Sequence, residues 1–336
     1  MKAEDLRKDW ETAECDLCGS SQTTGYLRIE PYQYKGDPHY TLVKCSGCNL
    51  VFLNPRPGPG IIGQYYGSDY YAHSGVNNRK PNLKARLRNR LLDGLGGYDL
   101  TSLGGRLIHS FAPRGLVDII IPSQRKGKLL DVGCGDGERA AWYQNRGFEV
   151  YGVEISERAV ASARDLGLNV KQGTLPDARY PDSFFDVVLM AHVLEHTHSP
   201  GSYLREAYRI LKPGGMLAVA VPNIEAHSAD VFKACWRLLM PPIHLYHFSI
   251  DTLSRFLSES GFKVEGVVGK AVYPIMVKRS IKITRDSSGV WPSLIAWARS
   301  GISASVIQQL RCGPRKCDAI TAYCSKPRFS QGDLHP

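Results

Sequence analysis

KLLDVGCGDGERAAWYQNRGFEVYGVEIS, residues 128–156, decides the fold. It opens as an apolar strand, turns through Gly133, Gly135 and Gly137, continues as a helix and returns as a second strand ending at Glu154. This is a βαβ unit with a glycine-rich first turn, the start of a doubly wound α/β sheet. Glycines suit such a turn because the backbone must approach a ligand closely and side chains would block it. An acidic residue at the end of the second strand faces the same crevice, where it can accept both ribose hydroxyls.

These features alone also fit a nicotinamide dinucleotide enzyme. The turn, however, is G-x-G-x-G with Glu138 following, where a third glycine would admit a pyrophosphate, and an acidic residue there repels phosphates. Asp131 before the turn and Asp136 within it make a carboxylate-rich setting that suits a ligand bearing a sulfonium and an ammonium group. Downstream the chain continues as SFFDVVLMAHVLEH and YRILKPGGMLAVAVPN.

In this order, DVGCGDG, Glu154, FFDVVLMAHVLEH and LKPGGMLAVAVPN resemble the class I S-adenosylmethionine-dependent methyltransferases over about residues 128–262. The resemblance implies a Rossmann-like, doubly wound sheet of seven strands, the last antiparallel and supplied by CDAITAYCSKP. It implies S-adenosyl-L-methionine as cofactor. Asp131, Gly133, Cys134 and Gly135 would hold its methionine part, Glu154 with Ile155 its nucleoside part, and Ala191 and His192 would line the methyl site. Thr174 stands where the family often carries an aspartate that touches adenine.

Upstream, ECDLCGS and VKCSGCNL place Cys15, Cys18, Cys45 and Cys48 in two C-x-x-C pairs with 26 residues between Cys18 and Cys45. Two thiolates three positions apart on a tight turn can face one tetrahedral zinc, and four of them leave no position for water. The pattern predicts a zinc ribbon with a structural Zn2+, its turns relaxed by Gly19 and Gly47. Neither pair sits beside a βαβ unit, as a redox pair would. Nine cysteines, five of them scattered, favour metal over a disulfide framework. The tyrosine-rich stretch after VFLNPRPGPG is read as packing against the next domain.

Methyl transfer requires an aligned acceptor and, where needed, removal of its proton. Residues 222–250 follow the fifth strand and form the expected acceptor-binding region. Its PPIHLYHFS brings His244, Tyr246 and His247 together, with Ser249 as the N-cap of the next helix. An imidazole near its ordinary pKa is a serviceable base, so His247 is expected to be catalytic, supported by His244 or Tyr246. His192 and His196 are the next candidates. The alternative is that both histidines of PPIHLYHFS pack between the ribbon and the following helix.

The formal charge of +10 is unevenly spread. Residues 1–75 carry 7 Lys/Arg against 9 Asp/Glu and residues 129–262 carry 12 against 16, whereas residues 76–128 carry 11 against 3 and residues 263–336 carry 12 against 4. Positive charge therefore flanks the cofactor region and points to an anionic partner outside it. The domain reading is a ribbon and connector over 1–75, a basic helical segment over 76–127 and a methyltransferase domain over 128–336. Arg79–Leu95 and about 290–310 read as amphipathic helices, the second an insertion before the last strand. Such helices fit an anionic membrane surface or a lipid-linked substrate, and RNA less well. The expected acceptor is a small molecule: a sugar, glycolipid or secondary-metabolite intermediate. A zinc-ribbon enzyme acting on ribosomal RNA is the alternative, set back by an acidic ribbon. With no long apolar run, the expectation is a cytoplasmic protein, perhaps peripheral at a membrane.

Overall fold

The computed structural model describes residues 7–31, 39–66, 119–121, 125–270, 274–288 and 313–328. Apolar runs beyond Gly127 form a seven-stranded sheet of β6 (Gly127–Val132), β7 (Phe148–Glu154), β8 (Asn169–Gln172), β9 (Phe185–Ala191), β10 (Leu211–Pro222), β12 (Lys263–Lys270) and β13 (Ala319–Ser325), in the order β12-β13-β10-β9-β6-β7-β8. The pairs β10–β9, β9–β6, β6–β7 and β7–β8 are parallel, and β13 runs antiparallel to both its neighbours. The chain reverses direction across the sheet between β6 and β9, so their C-terminal ends border a crevice of the kind where ligands bind in such folds. Val187, Val188, Leu189 and Met190 of β9 are all fully buried, because helices cover both faces of this central strand.

The helices begin where the sequence places capping residues. Ser156 accepts the Ala159 N–H to start α2 (Glu157–Asp165), and α1 (Glu138–Gln144) follows the glycine turn. Ser199 accepts the Ser202 N–H to start α3 (Pro200–Ile210), whose first position is a proline. A short α4 (His227–Phe232) lies in the expected acceptor region. Ser249 and Thr252 form a reciprocal capping box on α5 (Ile250–Glu259), in agreement with the expected N-cap. Gly137 is required for packing: at φ +86°, a Cβ there would lie 2.6 Å from Leu168 Cδ1 and 2.9 Å from Ala163 Cβ.

The N-terminal part folds as β2 (Thr23–Ile29), β3 (Tyr40–Cys45) and β4 (Val51–Leu53), with a small β1 (Trp10–Glu11) and β5 (Arg56–Pro57) pair beside them. Its sheet has a fourth strand, β11 (Tyr246–His247), contributed from the far end of the chain and antiparallel to β4. The ribbon is therefore completed by the acceptor region and is not a separate unit. Leu42, Leu50, Phe52 and Leu53 are buried in the same apolar core as Leu130, Leu217 and Phe248. Tyr65 of the connector packs with Met240 and Ile243.

The basic segment expected at 76–127 lies outside the described residues except for 119–121 and 125–127, as do Arg79–Leu95 and the helix expected at about 290–310. Ahead of that second position the structure holds α6 (Pro274–Ser288), which the sequence reading did not place. No described helix is long and apolar enough to cross a membrane.

Asp16, within the first C-x-x-C turn, joins the two parts at a helix end. Its carboxylate accepts from Ser199 Oγ at 2.9 Å and from the Gly201 N–H at 2.7 Å, satisfying donors at the start of α3. Asp16→Ala is expected to cost about 1 kcal/mol, as loss of a helix cap does. Denaturant unfolding should show a lower midpoint with unchanged slope, because ribbon and α3 share one core.

Candidate active site

The crevice begins with the glycine turn between β6 and α1. Gly133, Gly135 and Gly137 all have positive φ, and a Cβ on Gly133 would meet Val193 Cγ2 at 2.7 Å, so the ends of β6 and β9 come together only around a glycine. Glu154 ends β7, 7 % exposed, with Oε2 accepting the Gly135 N–H at 2.9 Å and Oε1 accepting the Ser156 N–H at 3.0 Å. Its carboxylate thus fastens the turn and stands at the crevice edge. Ile155 beside it is 56 % exposed, a large apolar side chain open to a flat ligand face. Thr174 follows β8, with Oγ1 donating to Asp177 at 2.5 Å.

Asp131 and Cys134 are placed differently from expectation. Asp131 is fully buried, and Arg139 from the first turn of α1 binds it through Nε at 3.0 Å and through Nη2. The ion pair compensates the buried carboxylate, so its burial does not call for a ligand. Arg139 had no role in the sequence reading, although a cation eight residues on, one helical turn past the glycines, can fold back on the strand end. Cys134 packs its sulfur against β7, where a Cβ on Gly152 would lie 2.7 Å away. Burial, then the charges of Asp131 and Glu154, push its thiol up, which suits a packed side chain.

Across the crevice β9 ends at Ala191, and His192 adopts φ +56° with its N–H on Ala220 O at 2.8 Å. A non-glycine residue in this region costs roughly 1–3 kcal/mol and marks a fixed geometry. His192 Nδ1 lies 3.1 Å from Glu195 Oε1, its side chain 21 % exposed and that of Glu195 only 1 %. Glu195 sits in the short helical turn Leu194–His196. His196 Nδ1 donates to Ile243 O at 3.0 Å and lies 3.2 Å from the Tyr66 hydroxyl. Its ring meets that of His244 edge to face at 4.5 Å, and His244 Nδ1 donates to Leu238 O at 2.8 Å.

His247 and Tyr246 are brought to this region but not to one acceptor. As successive strand residues they point to opposite faces of the sheet. The Tyr246 hydroxyl accepts from Arg56 at 2.8 Å and donates to His198 O at 3.2 Å, which seats the ribbon. His247 is 3 % exposed, its Nε2 has no hydrogen-bond partner among the described residues, and burial lowers its pKa to about 3. That value is far from a base working at neutral pH. Burial, followed by the neighbouring histidines and Arg237, also lowers the pKa of His244.

The four ribbon cysteines converge, with all sulfurs within 4.8 Å and Cys15–Cys48 and Cys18–Cys45 separations of 3.3 and 3.5 Å. A zinc tetrahedron with bonds of 2.3 Å has edges of about 3.8 Å, so the set fits a tetrahedral ion. The residues after each pair, Gly19 and Asn49, both have positive φ, and their N–H groups return to Cys15 O and Cys45 O. Asn49, rather than Gly47, is thus the counterpart of Gly19.

Comparison with known proteins places this geometry in a family. A family described as a methyltransferase domain matches residues 105–267. A protein of Mycolicibacterium smegmatis, named a "probable S-adenosylmethionine-dependent methyltransferase", is 29% identical over 42% of this chain and 54% of its own length, so the chain spans about half of that relative. A ubiquinone biosynthesis O-methyltransferase of Pseudomonas savastanoi is 30% identical over 47% of this chain and 73% of its own length. A solved S-adenosylmethionine-dependent methyltransferase of Mesorhizobium loti aligns with 59% of this chain and 90% of its own, at 17% identity and a TM-score of 0.41.

Two outcomes follow from the buried charges. Asp131→Ala should cost about 3 kcal/mol, the lower end for a broken buried pair because Arg139 keeps some contact with water, read as a loss of unfolding free energy in denaturant. For His247 the folded pKa is lowered from 6.5 to about 3, so between these values the unfolded chain binds more protons. Its contribution to stability is complete above about pH 6.5 and lost as pH falls towards 3. Unfolding free energies measured from pH 7 to 5 should therefore fall less steeply in His247→Leu than in the parent.

Proposed function

Given that the chain belongs to the S-adenosylmethionine-dependent methyltransferases, we propose that it transfers a methyl group to a hydroxyl of a small-molecule acceptor, a sugar, glycolipid or secondary-metabolite intermediate. The cofactor supplies a methyl carbon made electrophilic by its sulfonium, with the C–S electron pair leaving to sulfur as that carbon is transferred. Glu154 offers its remaining lone pairs to the ribose, Ile155 an apolar face to the adenine, and the backbone of Gly133 to Gly135 a close approach to the methionine part. Asp131 acts through Arg139, holding α1 against the turn.

The observation that carries the reading is His192, set on a fixed backbone at the end of β9 and bound through Nδ1 to buried Glu195. The carboxylate accepts the Nδ1 proton and so leaves Nε2 as the basic nitrogen, the relation by which a base is oriented in hydrolase triads. An amine acceptor attacks with its own lone pair, whereas a hydroxyl gains from such a base. The base is assigned to His192 in preference to His247. The positive excess over 76–128 and 263–336 supports an acceptor with an anionic or lipid-linked group, or an anionic membrane surface that presents it. Cys15, Cys18, Cys45 and Cys48 would hold a structural zinc, and through Asp16 and β11 that ion would steady the acceptor side.

Incubating a metabolite extract with the protein and isotopically labelled cofactor, then finding the label by mass spectrometry, tests the acceptor class; label in nucleic acid alone would overturn it. Glu154→Ala should weaken cofactor binding at least about tenfold by calorimetry, a loss of about 1.4 kcal/mol. His192→Asn keeps a residue that tolerates positive φ and removes the base. It should lower turnover about 10²-fold with cofactor affinity nearly unchanged.

A further inference from the structure

Behind His192, Glu195, His196 and His244 close on one another: a carboxylate oxygen and one ring nitrogen from each histidine lie within 4.8 Å. Glu195 is completely buried, and while Oε1 meets His192, Oε2 has no hydrogen-bond partner among the described residues. A carboxylate oxygen left so is costly unless a cation faces it. The two histidines share a second feature. Each donates Nδ1–H to a backbone carbonyl, His196 to Ile243 and His244 to Leu238. This fixes the tautomer that presents the Nε2 lone pair, and it is the outer-shell arrangement by which metal-binding histidines are oriented. Burial lowers the pKa of both rings, keeping them in the neutral form that ligation requires.

We propose that Glu195, His196 and His244 form a binding site for one divalent cation of the zinc type, separate from the four ribbon cysteines. Two imidazoles and a carboxylate suit zinc and its first-row neighbours, whereas calcium and magnesium take oxygen ligands throughout. A tetrahedron with bonds of 2.0 Å has edges of about 3.3 Å, so the three donors draw together by no more than about 1.5 Å. Three protein ligands leave one position for a water or a foreign oxygen, which distinguishes a reactive ion from the closed ribbon site. On the methyltransferase reading, and resting on it, that oxygen is the acceptor hydroxyl, whose proton a bound cation makes easier for His192 to remove. The Glu195 carboxylate then serves both groups, one oxygen on His192 and one on the ion.

The full chain is equilibrated with zinc, desalted, and its metal counted by mass spectrometry, with cofactor affinity measured on the same sample. The expected count is two zinc ions per chain in the parent, and one in Glu195→Gln and in His244→Gln. A second measurement needs no variant. Cobalt added to protein whose ribbon already holds zinc should give the visible absorption of a nitrogen- and oxygen-ligated ion, without sulfur-to-metal charge transfer. A parent that takes up one zinc only, variants that keep the parent's count, or cobalt that binds without that absorption would each overturn the site. Absence of cofactor binding would instead defeat the methyltransferase reading and leave the metal count to stand by itself.

Discussion

Two residue pairs, Val51 with His247 and Phe52 with Tyr246, join the ends of the chain. The Leu53 N–H donates to Leu245 O at 2.9 Å, and the Leu245 N–H donates to Glu195 O at 2.7 Å, so the ladder that completes the ribbon sheet continues into the turn after β9. Glu195 thereby has its backbone held by the acceptor segment, and that segment is held by the ribbon. Each of these backbone groups is buried and would lose a partner if β11 moved. The apolar side chains follow the same line. Phe52, Leu53, Leu245 and Phe248 are fully buried in one core, each worth about 1.5–3 kcal/mol. A ribbon alone could not cover these surfaces, which explains why it is built into the catalytic part.

Three buried or nearly buried carboxylates are balanced in three ways. Asp131 faces a guanidinium, Glu154 takes two backbone N–H groups, and Glu195 has a histidine on one oxygen and no hydrogen-bond partner among the described residues on the other. The first is closed and can only hold structure. The second has lone pairs left at the crevice edge, and the third is the least balanced of the three. Perturbed, incompletely compensated groups gather at reactive sites because chemistry needs them unsatisfied until substrate or ion arrives. That ordering separates the scaffold carboxylate from the two assigned to binding and catalysis.

The sheet was legible because its signals are local. A strand, a glycine turn, a helix and an acidic strand end lie within 29 residues, and CDAITAYCSKP alternates well enough to be read as the last strand, observed as β13. Ser249 was equally readable as a cap, since its partner Thr252 is three positions away. The errors came from longer reach. Asp131 looked like a ligand because its compensating cation lies on the next element, and Arg139 is recognised only once helix phase brings it back. Tyr246 and His247 read as a pair because they are neighbours in sequence, but a strand turns neighbours to opposite faces. That they form a strand is decided by β4, almost 200 residues earlier, and Arg56 meets Tyr246 across the same interval.

This contrast has a consequence for how the molecule divides its work. The cofactor crevice is made by hydrogen bonds between residues close in sequence, Gly135 with Glu154 and Glu154 with Ser156, and it needs nothing from the ribbon. The acceptor side needs nearly everything from it: Asp16 caps α3, Pro57 O accepts His198 Nε2–H, Arg56 fixes Tyr246, and β4 fixes β11. Loosening the ribbon would therefore disturb the alignment of an acceptor with His192 before it disturbed the glycine turn. Alignment is where methyl transfer is most sensitive, because a displaced nucleophile loses the in-line approach even when the cofactor stays bound. An N-terminal metal ribbon distant in sequence from the cofactor motifs is thus placed to govern the half of the site that distinguishes one acceptor from another.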